Sequence, residues 1–390
     1  MNFDSSLKVG ICGAGAMGSG IAQVAATAGH EVYLFDTRPD AATNGINNIK
    51  ASLLKLEEKQ KVPAGTATTV TGRIHPATAL ADLKDCGLII EAIVEQLPAK
   101  QKLFTDLEAI VSAETVLASN TSSLSITAIA GGCKYPARVA GLHFFNPAPL
   151  MPLVEVIPAV QTQQNLANEL KQLMTFWKKV PVIAKDTPGF IVNRVARPFY
   201  GEALRICEEQ IADTVTIDAA MKDLGFRMGP FELMDLIGND VNYAVTETVW
   251  TQCYFDPRYR PSIIQKRMVE SGRFGRKSGQ GYYDYSDAAV KPVASDDSML
   301  KDRIAYRILA MLINEASDAL HYGVAGREDL DLAMTKGVNY PKGLLAWCDE
   351  IGAERVVEIL DGLYERYHEE RYRASVTLRD AVNSKKLFYA

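Results

Sequence analysis

Two residues of this chain are suited by type and spacing to move a proton. His143 stands in an apolar run and Glu155 follows it, in Gly141-Leu-His-Phe-Phe-Asn-Pro-Ala-Pro-Leu-Met-Pro-Leu-Val-Glu155. A neutral imidazole accepts a proton near pH 7. A carboxylate on its far nitrogen sets the tautomer and stabilises the imidazolium that forms. Taken alone, the stretch is more often the mark of a buried structural histidine that meets a backbone carbonyl. The rest of the chain tips the reading toward chemistry.

Those residues need a frame, and the first half of the chain supplies a nucleotide fold. Val9-Gly-Ile-Cys12 is a short apolar run of the kind that forms a buried parallel strand. Gly13-Ala14-Gly15-Ala16-Met17-Gly18 follows, then a helical stretch to Ala28 and a second strand over Glu31-Val-Tyr-Leu-Phe-Asp36. Strand, glycines, helix, strand and terminal acid together make the dinucleotide fingerprint. Gly13 permits the tight turn, Gly15 lets the backbone approach a pyrophosphate, and Gly18 lets helix and strand pack closely. The helix N-terminus offers its N–H groups to the phosphates. A carboxylate at Asp36 accepts from both ribose hydroxyls and repels a 2′-phosphate, which favours NAD over NADP, with Arg38 close by as the opposing influence.

Further along, residues 39–64 are expected as a helix with Lys50, Lys55, Lys59 and Lys61 on a solvated face. Leu88-Ile-Ile-Glu-Ala-Ile-Val-Glu95 runs from strand into loop, and residues 100–111 form an amphipathic helix. The strand Val116-Leu-Ala-Ser119 ends in Asn120-Thr-Ser-Ser123, where one serine would ordinarily cap a helix. Polar groups at that end of a parallel strand face the ligand crevice. Arg138 to Phe145 makes His143 a strand-end residue of the same sheet, and residues 153–158 and 180–184 close it, with an antiparallel turn allowed.

At Asp186-Thr-Pro-Gly189 the pattern changes. From Phe190 the apolar spacing is helical through Ile191, Val195, Phe199, Ala203 and Ile206, with Asn193 polar among them. Glu202-Ala203, Asp218 and Ala220-Met221 recur at Glu315-Ala316, Asp331 and Ala333-Met334. Gly229, Asp235 and Ile237-Gly238 recur at Gly343, Asp349 and Ile351-Gly352, with one residue of slip. The second half is therefore a helical unit present twice. The second copy has no match to Asn193 and is expected to be structural. The fold class is an α/β Rossmann-type domain over residues 1–185, followed by helical repeats over 186–286 and 287–390, joined by a small, polar linker around 286–297.

Composition excludes several classes. Hydrophobic residues make up 47% and charged residues 23%, as in globular proteins, and the net charge of −5 comes with no basic stripe, so nucleic acid is not an expected partner. The six cysteines lie far apart with no Cys-x-x-Cys pair, which indicates neither a zinc site nor a disulfide framework and fits a reducing compartment. No leader or membrane-length apolar run is evident, so a cytoplasmic protein without metal or membrane association is expected.

Taken together, the blocks Gly13 to Gly18 with Asp36, Ser119-Asn-Thr-Ser-Ser-Leu124, Gly141 to Pro147, Lys185-Asp-Thr-Pro-Gly-Phe-Ile-Val-Asn-Arg194 and Met228-Gly-Pro-Phe-Glu-Leu233 closely resemble the L-3-hydroxyacyl-CoA dehydrogenase family. The doubled helical unit resembles the branch that includes 3-hydroxybutyryl-CoA and 3-hydroxyadipyl-CoA dehydrogenases. The resemblance implies His143 as general base, Glu155 as its orienting partner, and Ser122 and Asn193 beside the substrate oxygen. It implies that Glu95, Lys100, Ser122, Asn146 and Lys277 line the NAD site together with the glycine loop. Ser52, Lys59 and Ser122 match positions that touch the acyl-CoA. It leaves open a homodimer or a pseudo-dimer within one chain. Free hydroxy-acid dehydrogenases usually rely on a lysine base, and the His143–Glu155 pair argues against them. A non-catalytic NAD-binding protein on the same fold would be expected to lose one of the four catalytic positions, and all four are present.

Overall fold

The computed structural model describes residues 6–290 and 292–389, in two compact units that divide between Thr187 and Pro188. Among the described residues of the first unit, eight strands form one sheet: β1 (Val9–Cys12), β2 (Val32–Phe35), β3 (Ile74–Ala77), β4 (Leu88–Glu91), β5 (Val116–Ser119), β6 (Val139–Phe144), β7 (Leu153–Pro158) and β8 (Val180–Ile183). Their order is β3-β2-β1-β4-β5-β6-β7-β8. Strands β1 to β6 are mutually parallel, β7 pairs antiparallel with β6, and β8 runs parallel to β7. The central strands β1, β4 and β5 are buried at every position. Helices cover both faces of such a sheet, so its strands are continuous apolar runs.

The chain moves outward from β1 to β3, then returns to β4 on the other side of β1. That reversal opens the crevice in which such sheets bind ligands, at the carboxyl ends of the strands. The glycine loop after β1, the Ile93–Glu95 segment after β4, the Asn120–Ser123 segment after β5 and the end of β6 all lie along this edge.

Three helices differ from expectation, among them the one expected over 100–111, which spans Leu97–Glu108, and strand β3 is not marked in the sequence. The helix expected over 39–64 spans Ala41–Glu58; Gln60 turns to φ +54°, and Pro63 and Gly65 precede a separate helix, Thr66–Thr71. Edge strand β3 reads Ile-His-Pro-Ala and carries no apolar alternation, because an edge tolerates proline. The helix expected from Phe190 to Ile206 is broken into Val192–Val195 and Arg197–Glu208. Pro198 sits in the first turn of the latter, where its missing N–H costs nothing, but it could not continue a helix from the preceding turn.

The second unit displays the repeat as structure. Asp218 accepts from the N–H groups of Phe231 and Glu232 at 2.8 and 2.9 Å. Asp331 accepts from Leu345 and Ala346 at 2.9 and 3.0 Å. Each aspartate thus satisfies the unpaired donors at the start of the helix that follows, Pro230–Ile237 or Leu344–Ile351. The recurring glycines have the same cause: a Cβ on Gly229 would lie 2.3 Å from Asp218, and one on Gly343 2.3 Å from Asp331. Asp235 accepts from the Tyr282 and Tyr283 N–H groups, and Asp349 from those of Phe388 and Tyr389. The counterpart of the broken first helix is one continuous helix, Ser298–His321, in which Met311 takes the place of Pro198.

Ion pairs relate the two copies reciprocally. Arg194 of the first copy donates to Glu315 of the second at 2.7 Å, and Arg307 of the second donates to Glu202 of the first at 2.6 Å. Tyr259 and Tyr372, at the same offset, donate their hydroxyls to Glu315 and Glu202. All four charged groups are buried. Exchange of the same contacts in both directions is the pattern of an isologous, two-fold interface, here formed within one chain.

Candidate active site

The antiparallel pairing of β6 and β7 sets His143 directly opposite Glu155. Residues directly opposite on such a pair share one face of the sheet, which is how an acid twelve positions away reaches the imidazole. His143 Nδ1 lies 2.6 Å from Glu155 Oε2, with the two side chains 7% and 0% exposed. An ionised carboxylate only accepts, so Nδ1–H donates and Nε2 is left as the acceptor of the neutral ring. The Phe145 ring packs 4.5 Å from the imidazole, centroid to centroid. The alternative of a histidine held by a backbone carbonyl does not apply at Nδ1. Here the acid is the partner.

Next to this pair, the end of β5 is clamped by charges buried beneath it. Lys100 Nζ sits 2.6 Å from Glu91 Oε1 and 3.2 Å from Glu95 Oε2, and its side chain is 1% exposed. Glu91, wholly buried, also accepts from Ser119 Oγ and from the Ile93 N–H. Glu95 Oε1 accepts from Thr121 Oγ1 at 2.5 Å, from the Ser122 N–H at 3.1 Å and from Ser123 Oγ at 3.1 Å. Burial opposes the Glu95 charge, but Lys100 and the hydroxyls of Thr121 and Ser123 hold the carboxyl below the usual carboxylate range. Lys100 therefore spends its charge inside the protein, and its influence on the crevice passes through Glu95, which fixes the backbone that presents half-buried Ser122. Asn120 Oδ1 accepts from the Phe144 N–H at 2.8 Å and so ties this loop to the histidine strand.

Two supports were not foreseen. Asp186 accepts from Ser125 Oγ and from the Ile126 and Thr127 N–H groups, capping the helix Ile126–Ala130 that follows the serine loop. Lys179 Nζ donates to the carbonyls of Ala148 and Met151, securing the loop that carries exposed Asn146. Burial lowers the Lys179 pKa to about 8. The clue to both lay only in their type: a charged residue placed at the border of an apolar strand.

The glycine loop fits a dinucleotide. Gly13 holds φ +105°, and a Cβ there would lie 2.5 Å from the Ala92 carbonyl oxygen. A Cβ on Gly18 would lie 1.8 Å from the Gly13 carbonyl oxygen. These two glycines are required by the fold itself. Gly15 is different: a Cβ there would meet nothing within 4 Å, so its bareness leaves room outside the chain. It precedes the helix Ala16–Thr27, whose first turn has no side-chain cap, and Gly15 and Ala16 are exposed. Ala14 is buried and donates its N–H to Asp36 Oδ2 at 2.8 Å, while Met17 is half-buried. A groove of about 690 Å³ runs from this loop past Ser19, Asn48 and Pro149 to Ser52. Ser52 lies on the helix Ala41–Glu58 and Lys59 is its C-cap; both are exposed.

Asp36 stands at the end of β2 with Arg38 bonded to both its oxygens at 3.0 Å. Those hydrogen bonds lower the Asp36 pKa to about 2. A carboxyl so depressed loses its charge only as the pH falls toward that value, so NAD affinity should be flat between pH 5 and pH 8, within about twofold. Calorimetric titration at both ends of that range checks this. A Kd several-fold weaker at pH 5 would mean that some other carboxyl governs binding.

Asn193 and Lys277 belong to the second unit. Asn193 is half-buried on the short helix Val192–Val195, directly before the buried Arg194. Lys277 is half-exposed on the turn Arg276–Ser278, with Nζ 2.6 Å from Asp240 Oδ1. Among the described residues no group of three His, Cys, Asp or Glu side chains is placed to hold a metal, and no helix is long and apolar enough to cross a membrane.

Comparison with known proteins converges with this geometry. Residues 8–187 match the family described as 3-hydroxyacyl-CoA dehydrogenase, NAD binding domain. Residues 189–285 and 304–389 each fall within matches to the 3-hydroxyacyl-CoA dehydrogenase C-terminal domain, one to each helical copy. The chain is 39% identical to the 3-hydroxyadipyl-CoA dehydrogenase of Escherichia coli K12, over 95% of this chain and 96% of that one. It is 41% identical to the 3-hydroxybutyryl-CoA dehydrogenase of Bradyrhizobium diazoefficiens, over 73% of this chain and 97% of that one. The crystal structure of 3-hydroxybutyryl-CoA dehydrogenase from Escherichia coli K12 superposes with a TM-score of 0.92 at 38% identity, covering 97% of this chain and 98% of the other. With the fingerprint, the paired histidine and acid, and both helical copies accounted for, this chain belongs to the 3-hydroxyacyl-CoA dehydrogenase family.

Proposed function

We propose that the chain is an NAD-dependent dehydrogenase that interconverts (S)-3-hydroxyacyl-CoA and 3-oxoacyl-CoA. A short acyl chain such as 3-hydroxybutyryl-CoA is the first substrate to expect, in fatty acid oxidation or related acyl-CoA metabolism. The observation that carries the reading is the 2.6 Å contact between His143 and Glu155 at the ligand edge of a nucleotide-binding sheet. Oxidising a secondary alcohol removes a hydride from carbon and a proton from oxygen. Bound NAD supplies the acceptor for the hydride. His143 Nε2 takes the hydroxyl proton, and Glu155 stabilises the imidazolium that results. Ser122 and Asn193 donate to the oxygen as negative charge builds on it, each worth about 2–4 kcal/mol if well placed. The glycine loop from Gly13 to Gly18, with Asp36, Glu95, Ser122, Asn146 and Lys277, serves the cofactor, and Lys100 serves it through Glu95; Ser52, Lys59 and Ser122 serve the coenzyme A thioester.

A second substrate, 3-hydroxyadipyl-CoA, is favoured by one observation: the relative so named matches this chain over nearly its whole length, both helical copies included. NADH oxidation with acetoacetyl-CoA, 3-oxoadipyl-CoA and free acetoacetate separates the readings. Turnover with either thioester and none with the free acid is expected. Equal turnover of free acetoacetate would remove coenzyme A from the account, and the ratio of kcat/KM for the two thioesters assigns the chain.

The reciprocal ion pairs support a pseudo-dimer within one chain over a homodimer through the helical repeats. We divide the chain into the nucleotide domain 1–185, the first helical domain 186–286 and the second repeat 287–390. Six free cysteines favour a cytoplasmic location.

A further inference from the structure

The two halves of the reciprocal interface share an arginine, an acid and a tyrosine and are unlike in what stands beside them. In the first, Glu315 receives Arg194 Nε at 2.7 Å and the Tyr259 hydroxyl at 2.5 Å, and Arg258 Nη1 approaches its other oxygen at 3.5 Å. Arg258 in turn pairs with Asp318 and Asp256. In the second half, Glu202 receives Arg307 and the Tyr372 hydroxyl, and Arg307 also donates to Glu209. The residue before Arg194 is Asn193; the residue before Arg307 is Tyr306. The Arg355 guanidinium lies 4.0 Å from the Tyr306 ring centroid and covers that position. One member of the pair of interfaces thus borders a polar amide, and the other borders an aromatic ring capped by a guanidinium.

The Asn193 segment also needs outside support. Val192–Val195 is a single helical turn, entered through Gly189 at φ +75° and Phe190 at φ +46° and left at Ala196 before Pro198. So short a helix does not hold itself. Its counterpart in the second copy is part of a 24-residue helix and needs no such anchor. One directional anchor of the segment is the Arg194–Glu315 bond, in which a planar guanidinium is gripped by a buried acid.

We propose that Glu315, in the repeat that carries no catalytic group, is a positioning residue for Asn193, acting through Arg194. The second copy then contributes to turnover by fixing where the Asn193 amide points. This rests on Asn193 donating to the substrate oxygen.

The two-fold relation supplies a matched control. Glu315→Gln and Glu202→Gln each weaken one buried Arg–Glu bridge; Arg307 keeps Glu209 as a second acid, so the Tm loss should be no larger for Glu202→Gln than for Glu315→Gln. Glu315→Gln should lower kcat about tenfold or more, since small misplacement of a catalytic group is costly. The KM for NADH should hold within about twofold, because a group that acts only on the transition state leaves cofactor binding unchanged. Glu202→Gln should keep kcat within about twofold, as surroundings without a catalytic neighbour predict. In an Asn193→Ala background, Glu315→Gln should cost less than about twofold more, the signature of two residues acting through one group. Arg194→Lys against Arg307→Lys gives the same comparison if Glu315→Gln does not fold. Equal kcat for Glu315→Gln and Glu202→Gln, or full additivity with Asn193→Ala, overturns the proposal. Normal turnover in Asn193→Ala alone would instead overturn the role given to Asn193.

Discussion

His143→Ala should lower kcat by at least about two decades with acetoacetyl-CoA and NADH, the usual worth of a positioned acid–base group. Glu155→Gln should cost a comparable factor, because an amide can neither hold Nδ1–H as a carboxylate does nor stabilise the imidazolium. Affinity for NADH should stay within about threefold in both, since neither residue belongs to the glycine loop or the Asp36 end of the site. The pattern of kcat loss without cofactor loss distinguishes a base from a structural histidine. A structural residue only 7% exposed would register mainly as a lower Tm. Stopped-flow turnover and fluorescence titration of NADH measure both quantities on the same samples, and near-normal kcat in His143→Ala would remove the base from the account.

The second large effect is expected from Lys100→Met. Lys100 is enclosed between Glu91 and Glu95, and Glu91 has no exposed surface. Loss of the ammonium strands a buried carboxylate, which typically costs about 3–5 kcal/mol. For a domain of this size about 2–4 °C of Tm goes with each kcal/mol, so thermal unfolding should move down by roughly 6–20 °C. The double variant Lys100→Met with Glu91→Gln should recover much of that, since the stranded charge is gone. Activity should not recover, because Glu95 would still lack the cation that steadies the Thr121–Ser123 backbone beneath Ser122. A Tm within about 2 °C of the parent for Lys100→Met would show that the enclosed pair contributes little, contrary to the penalty for breaking a buried ion pair.

The sequence revealed most where burial leaves a local mark. β1 and β5 are legible to the residue because central parallel strands are unbroken apolar runs, and β7 likewise. The glycine fingerprint is legible because Gly13 and Gly18 answer to backbone contacts that no other residue permits. His143 and Glu155 stand out as types, and antiparallel register then joins them, though the register itself comes from the fold. Edge strand β3 is hidden because His75 and Pro76 break its alternation, and the overlong helix is hidden because lysines and glutamates continue past its true end at Glu58. The supporting residues are the least legible. Glu91 looks like the last residue of a strand, Asp186 like part of a hinge, Lys179 like a surface lysine, and Glu315 like a mark of the repeat. Each gains its meaning from a partner distant in sequence: Asp186 from residues about sixty positions away, Glu315 from Arg194, 121 positions away. No periodicity encodes such pairings.

The claim on which the chemistry depends is the placement of one ring, and a crystal structure of the chain with NAD and acetoacetyl-CoA tests it most directly. The account predicts His143 Nε2 within hydrogen-bond reach, about 2.6–3.2 Å, of the C3 oxygen, with Nδ1 still on Glu155. An oxygen bound elsewhere, or an imidazole turned away from Glu155 in that complex, would contradict it.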